Sequence, residues 1–210
     1  YKKAIHLFPK DQDSYSNLGN ILKDIGQFKE AEIFTRKAIE LKPDYSEALS
    51  NYSDILFNLG KLKDAKSYAK RAINISPNLA SAHLNLGNIL ISLNKLKEAE
   101  ISTRKAIDID PYSANAYLNL GVILMTLGEL NEAEISTRKS IELKLDYVEA
   151  HLSLAEILFD LGKVEEANAS EWNAIKFDRS IIHTKSYQDN AKLINKTAFW
   201  VFSYTIFNHF

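Results

Sequence analysis

Few side chains in this chain could do chemistry, and they are widely spaced. His83 and His151 invite a metal-site reading, because imidazole is the commonest metal ligand. They share a register with Tyr15, Leu49 and Tyr117 and lie two periods apart in the repeat described below, so they read as packing residues facing a hairpin interior. Glu32 and Arg36, Glu100 and Arg104, and Glu134 and Arg138 are i,i+4 pairs. On a helix surface such exposed pairs contribute about 0.3–0.5 kcal/mol each and mark a solvated face. The triplets beginning at Asn51, Asn74, Asn168 and Asn195 fit the glycosylation sequon, which arises by chance in a chain rich in Asn and Ser.

With Cys 0 there is no disulfide, thiolate nucleophile or cysteine-bound zinc. Gly-rich phosphate loops, HExxH and Gly-x-Ser-x-Gly are absent. These residues therefore point away from an enzyme and call for no cofactor and no metal. What remains is a polar series, Asn17, Asn51, Asn85 and Asn119 followed by Ser153, at intervals of 34 residues. An asparagine amide carries a donor and an acceptor together. At such positions it either holds the backbone of an extended peptide or ties one helix to its neighbour.

The elements that position this series belong to a soluble class of chain. Its 210 residues are 46% hydrophobic and 25% charged, enough apolar content for a sizeable core. The formal net charge of -1, from 26 basic and 27 acidic residues, gives no field to attract nucleic acid or an anionic membrane. The segment Tyr1 to Pro9 has neither a starting Met nor the apolar run of a secretory signal. We expect a cytoplasmic protein, and the chain reads as an excerpt of a longer one.

The four prolines, Pro9, Pro43, Pro77 and Pro111, each stand 34 residues after the one before. All seven glycines fall in two columns of the same frame, Gly19, Gly87 and Gly121 in one and Gly26, Gly60, Gly128 and Gly162 in the other. The frame gives repeats 12–45, 46–79, 80–113, 114–147 and 148–181, with the tail of another at 1–11. Each repeat predicts a helical hairpin. Tyr15, Leu18 and Leu22, then Ala31, Ile33 and Ala38, have helical spacing for a packed face. Gly26 closes the first helix in a left-handed conformation. Alanine at 31, 65, 99, 133 and 167 marks a close crossing of the two helices, and proline ends the second helix. Leu145 replaces that proline in the fourth repeat, which predicts a less sharp boundary there.

The run Tyr15-x2-Leu18-Gly19-x2-Leu22, then Ala31, Ala38 and Pro43, resembles the tetratricopeptide signature over about residues 1–181. The resemblance implies an all-α, right-handed superhelical solenoid of antiparallel helix hairpins. It also implies that the second, fifth, sixth, ninth, twelfth and thirteenth residues of each first helix face a concave groove. The sixth column is then the asparagine series, similar to the ladder of O-GlcNAc transferases. Asn20 and Asn88 stand in the ninth column. The fifth, ninth and twelfth columns pass from Ser16, Asn20 and Lys23 to Leu118, Val122 and Met125. With Phe57, Leu84, Ile91, Leu152 and Phe159 these predict an apolar strip, rimmed by Asp54, Glu149, Glu156 and Asp160. The alternative is that some of these side chains are inter-repeat core. Chaperone-binding relatives clamp a carboxylate with basic residues, but Ser16, Ser81 and Asn85 stand at those places.

The expected function is a protein–protein interaction scaffold that takes a polypeptide segment, apolar with neutral or basic flanks, in its groove. The alternative is the substrate-recruiting arm of a larger glycosyltransferase, sulfotransferase or methyltransferase. RNA reading is disfavoured by Leu84, Leu118 and Leu152, where polar base-reading residues would be needed. From about Ile182 the repeat pattern fails. Residues 182–195 predict a polar-faced capping helix against the last hairpin. The aromatic run 198–207 is too short to span a bilayer, and reads as a buried helix or strand that opens a downstream domain within 182–210, against which Trp172 would pack.

Overall fold

Glycine and asparagine in a left-handed conformation punctuate the chain at 34-residue intervals. In the computed structural model, which describes residues 5, 7 and 9–177, Gly26, Gly60, Gly128 and Gly162 have φ between 74° and 80°, and Asn94 completes the column at 54°. Each sits one residue beyond the cap of a helix. At the first of these ends the Gln27 N–H reaches the Leu22 carbonyl at 2.8 Å and the Gly26 N–H the Lys23 carbonyl at 2.9 Å. That is the Schellman pattern, which satisfies the otherwise orphaned last carbonyls, and it recurs after Asn58, Ser92, Thr126 and Asp160.

Ten helices result among the described residues, paired as hairpins: α1 (Gln12–Asp24) with α2 (Phe28–Leu41), α3 (Ser46–Asn58) with α4 (Leu62–Ile75), α5 (Ala80–Ser92) with α6 (Leu96–Ile109), α7 (Ala114–Thr126) with α8 (Leu130–Leu143), and α9 (Val148–Asp160) with α10 (Val164–Phe177). The protein is an all-helical solenoid of such hairpins. The chain falls into two units, Tyr1–Lys144 and Leu145–Phe210. The first carries four hairpins, stacked in sequence order, and the second carries one. The expectations for residues 182–210 lie outside the described residues.

The second helices end at the same register whether or not proline follows. Lys42, Ser76 and Asp110, each before a proline, are extended, and so is Lys144 before Leu145 (φ -145°, ψ 94°). The boundary at Leu145 is therefore as sharp as the others, contrary to expectation. Proline forbids helix there, but the backbone turns without it, and Leu145 itself is exposed.

Inside each hairpin the two helices come close. Ala31, Ala65, Ala99 and Ala133 are fully buried, and Ala167 nearly so. A Cβ added at Gly19, Gly87 or Gly121 would overlap the hydroxyl of Thr35, Thr103 or Thr137 respectively. The second repeat has Ser53 in the glycine register and Ala69 in the threonine register, both buried. The larger residue has changed helix, and the crossing keeps its volume. Stacking closes what one hairpin leaves open. Ile55 of the second hairpin joins the cluster of Leu18, Leu22 and Ala31 in the first, and Tyr52, Leu56, Leu86, Leu90 and Ile123 share another cluster. Burying each such Leu or Ile contributes about 1.5–3 kcal/mol. Ile33 does not join them. It is 61% exposed, because two residues beyond Ala31 the helix has turned past its packed stripe.

Two outcomes are expected from denaturant unfolding. Gly87→Ser should destabilise by about 1–3 kcal/mol through overpacking, and adding Thr103→Ala should recover at least about 1 kcal/mol as a coupling energy; strictly additive effects would contradict the volume exchange. Asn94→Ala should cost about 1 kcal/mol, the usual penalty of a β-carbon in the left-handed region, whereas Asn94→Gly should stay within a few tenths.

Candidate functional site

Successive first helices of the first unit touch along one stripe, and their polar side chains meet there. Asn85 donates from Nδ2 to the Ser50 carbonyl at 2.9 Å and to Ser50 Oγ at 3.2 Å. The hydroxyls of Ser50 and Ser81 are 3.1 Å apart. Asn119 Nδ2 donates to Asn88 Oδ1. Lys23 Nζ lies 3.1 Å from Asp54 Oδ2. These bonds run from α1 to α3, from α3 to α5, and from α5 to α7, so the second, fifth, sixth, ninth and twelfth residues of the first helices form one face. Helical phase carries the thirteenth onto the same stripe.

The asparagine series divides along this face. Asn85 and Asn119 donate from their amides to the preceding first helix, and among the described residues neither amide oxygen accepts a hydrogen bond. Asn17 is exposed and Asn51 half-buried, and among the described residues neither has a hydrogen-bond partner. Both therefore keep a donor and an acceptor available. Asn20 and Asn88 are half-buried. Ser50, Ser81 and the Lys23–Asp54 pair were not anticipated as a seam. Their signal was present in the second, fifth, ninth and twelfth columns, but only the contacts between hairpins show which of those residues pair.

The apolar half of the face is narrower than its sequence suggested. Leu118 is 8% exposed, which favours the inter-repeat-core alternative for this position. Phe57 and Ile91 are half-buried and pack against the cluster of Tyr52, Leu86 and Leu90. Leu84, Val122 and Met125 remain half-buried on α5 and α7. In the second unit Leu152 (42% exposed), Glu156 and Phe159 (66% exposed) come together with Ala155 and Asn168 around a hollow of about 280 Å³ between α9 and α10.

Charge is unevenly shared. On α1 and α3 the stripe carries Asp13, Asp24, Glu47 and Asp54, against Lys23 alone, and that lysine is tied to Asp54. On α5 and α7 it carries no charged residue in those registers. The second helices hold the ion pairs instead. Arg104 Nε reaches Glu100 at 2.9 Å and Arg138 Nε reaches Glu134 at 2.9 Å, while Lys61–Glu32 (2.8 Å) and Lys97–Glu129 (3.0 Å) join neighbouring hairpins. The Arg104 hydrogen bond holds the Glu100 carboxyl below the usual carboxylate range, with Lys97 adding to it. Burial, reinforced by Glu32, raises the Tyr52 phenol.

The histidines have a positive structural role. His83 Nε2 lies 2.9 Å from the Pro77 carbonyl and His151 Nε2 3.0 Å from the Leu145 carbonyl. A carbonyl only accepts, so each ring donates from Nε2 and pins the start of its first helix to the preceding turn. Among the described residues no group of His, Asp or Glu is gathered as a metal site, and no helix is long and apolar enough to cross a membrane.

Comparison with known families places this geometry. Tetratricopeptide repeat models match residues 13–45, 46–79 and 114–147, and a TPR repeat model matches residues 87–128. No curated protein sequence matches the chain. Among solved structures, a thermophilic TPR protein of Thermus thermophilus is 22% identical with a TM-score of 0.75, covering 87% of this chain and 99% of its own. YrrB, described as a TPR protein with an unusual peptide-binding site, is 21% identical with a TM-score of 0.62, over 91% and 96%. MamA from Desulfovibrio magneticus, from residue 41 on, is 20% identical with a TM-score of 0.66, over 80% and 96%. At these identities the likeness is one of fold.

The two halves of the asparagine series should separate experimentally. Asn85→Ala is expected to lower unfolding free energy by about 1 kcal/mol, by removing its bonds to Ser50, whereas Asn51→Ala should leave thermal and denaturant midpoints unchanged. Equal losses for both would show that Asn51 is also a structural tie.

Proposed function

Since the chain belongs to the tetratricopeptide repeat family, we propose that it is a protein–protein interaction scaffold whose first-helix face, in the four-hairpin unit, holds an extended segment of a partner polypeptide. The observation that supports this most is the contrast along the face. Asn17 and Asn51 keep both halves of their amides open where acidic residues gather, and Leu84, Val122 and Met125 offer apolar surface where charge is absent. An amide with a free donor and a free acceptor can pair with the N–H and C=O of one peptide residue. Four acidic side chains against the single Lys23 leave this part of the face net acidic, which favours a cationic ligand and speeds its encounter.

The partner segment that fits has basic residues over α1 and α3 and apolar residues over α5 and α7. This sharpens the expectation of an apolar peptide with basic flanks by giving it a direction along the solenoid. Asn85 and Asn119 then serve mainly to hold successive first helices in register, and contribute only carbonyl acceptors to the ligand. Leu152, Glu156 and Phe159, around their own hollow, form a separate candidate contact in the second unit.

Peptides selected from a random display library against the 210-residue chain should carry a basic cluster beside an apolar one. Val122→Asp should lower their affinity at least about tenfold, or 1.4 kcal/mol, and Asn17→Ala with Asn51→Ala should lower it further while leaving the fold intact. Binders indifferent to all three substitutions would remove the first-helix face as the site.

A further inference from the structure

The second and fourth repeats correspond residue for residue, and they differ where a tyrosine has been lost. Tyr68, on α4, lies edge-on to Tyr52 with ring centroids 4.7 Å apart and planes at 88°. The Arg71 guanidinium sits over its ring at 5.1 Å. Tyr68 and Ile39 pack against the clusters that hold Leu49 and Tyr52. Two repeats further on, the registers of Ile39, Leu49 and Tyr52 are taken by Ile107, Tyr117 and Leu120, and Ser136 stands in place of Tyr68. All four of these residues line an open hollow of about 510 Å³ between α6, α7 and α8.

A second difference points the same way. At the mouth of the hollow stands Ile135, 69% exposed, where the second repeat has the exposed polar Ser67. Between these two repeats the entrance changes from polar to apolar as the ring is lost, whereas the first repeat keeps both, with the ring of Phe34 in the Tyr68 register beside the exposed Ile33. Beside Ile135 the Arg104–Glu132 ion pair, 3.0 Å across, offers donors and acceptors at the rim.

From these differences we infer that the hollow is a socket for one aromatic side chain of a partner polypeptide, distinct from the first-helix face and independent of it. The chain's own Tyr68 gives the occupant's size and chemistry. An aromatic ring entering edge-on would cover Ile107, Tyr117 and Leu120 as Tyr68 covers Ile39, Leu49 and Tyr52, and offset or edge-to-face geometry favours the contact with Tyr117. Polypeptide on either side of the ring can bond the Arg104 and Glu132 side chains, which carry opposite charge and suit a backbone rather than an ionic ligand.

Methyl resonances of the 210-residue chain, titrated with N-acetyl-phenylalaninamide, test this directly. Saturable shifts are expected at the Ile107 and Ile135 methyls, with N-acetyl-alaninamide leaving them unmoved. Ser136→Tyr, which copies the second repeat and should keep the helical content, is expected to weaken the probe at least about tenfold, as loss of a buried aromatic anchor does. The reciprocal Tyr68→Ser should open a second socket and add saturable shifts at Ile39, which keeps the inference testable should the first variant misfold. Unmoved methyls, or equal titration by wild type and a folded Ser136→Tyr chain, would overturn it. So would aromatic contacts at the Ile135 methyl in the ligand-free chain beyond those of Tyr117, which would give the socket to the chain's own aromatic residues or to a second copy.

Discussion

The two helices of the first, third and fourth hairpins approach so closely at the Gly19–Thr35, Gly87–Thr103 and Gly121–Thr137 crossings that a glycine Cβ would overlap the threonine hydroxyl, and the other regularities follow from that constraint. Dense packing tolerates volume exchange better than volume gain, which is why Ser53 faces Ala69. Close crossing fixes the distance between the helices of a pair. A fixed distance lets hairpins of nearly constant shape stack by nearest-neighbour contacts alone. The stack then brings one first helix against the next, and a shared polar face arises from side chains a whole repeat apart, such as Asn85 and Ser50 at 2.9 Å.

What the sequence made legible was whatever this constraint imposes on residue type. Only glycine, or less often asparagine, accepts the left-handed turn at 26, 60, 94, 128 and 162. Only a small residue fits at 31, 65, 99 and 133. These columns are visible because the alternatives are sterically expensive. The second-helix stop was legible for a less complete reason. Proline forbids helix before it, yet Leu143 ends α8 at the same register as its proline-bearing counterparts, so proline reinforces a turn that packing already sets.

The site was less legible because an amphipathic pattern does not state how far a helix is rotated. Ile33 and Leu118 show the ambiguity in opposite directions. Ile33 has apolar type and helical spacing but faces outward, and Leu118 lies in a groove register but is sealed into the core. What each side chain meets is fixed by neighbouring hairpins and not by the pattern of its own helix. The asparagine series has the same limit in another form. Asn17, Asn51, Asn85 and Asn119 are identical in type and register, and their difference lies in what the preceding helix presents. Asn85 faces Ser50 and Asn119 faces Asn88, so their amides are already committed.

Periodicity therefore carries the fold, and departures from it carry the individuality of the chain. The stripe on α1 and α3 is acidic while that on α5 and α7 is uncharged, although the backbones repeat. Tyr68 becomes Ser136 and Ser67 becomes Ile135 without any change in helix boundaries, since α4 and α8 are both 14 residues long. Substitutions at exposed positions, away from the crossings, the core and the ties between first helices, cost the solenoid little, so each hairpin is free to vary on its outer surfaces. The surface that the hairpins build together is therefore a sequence of small local differences laid on a constant backbone.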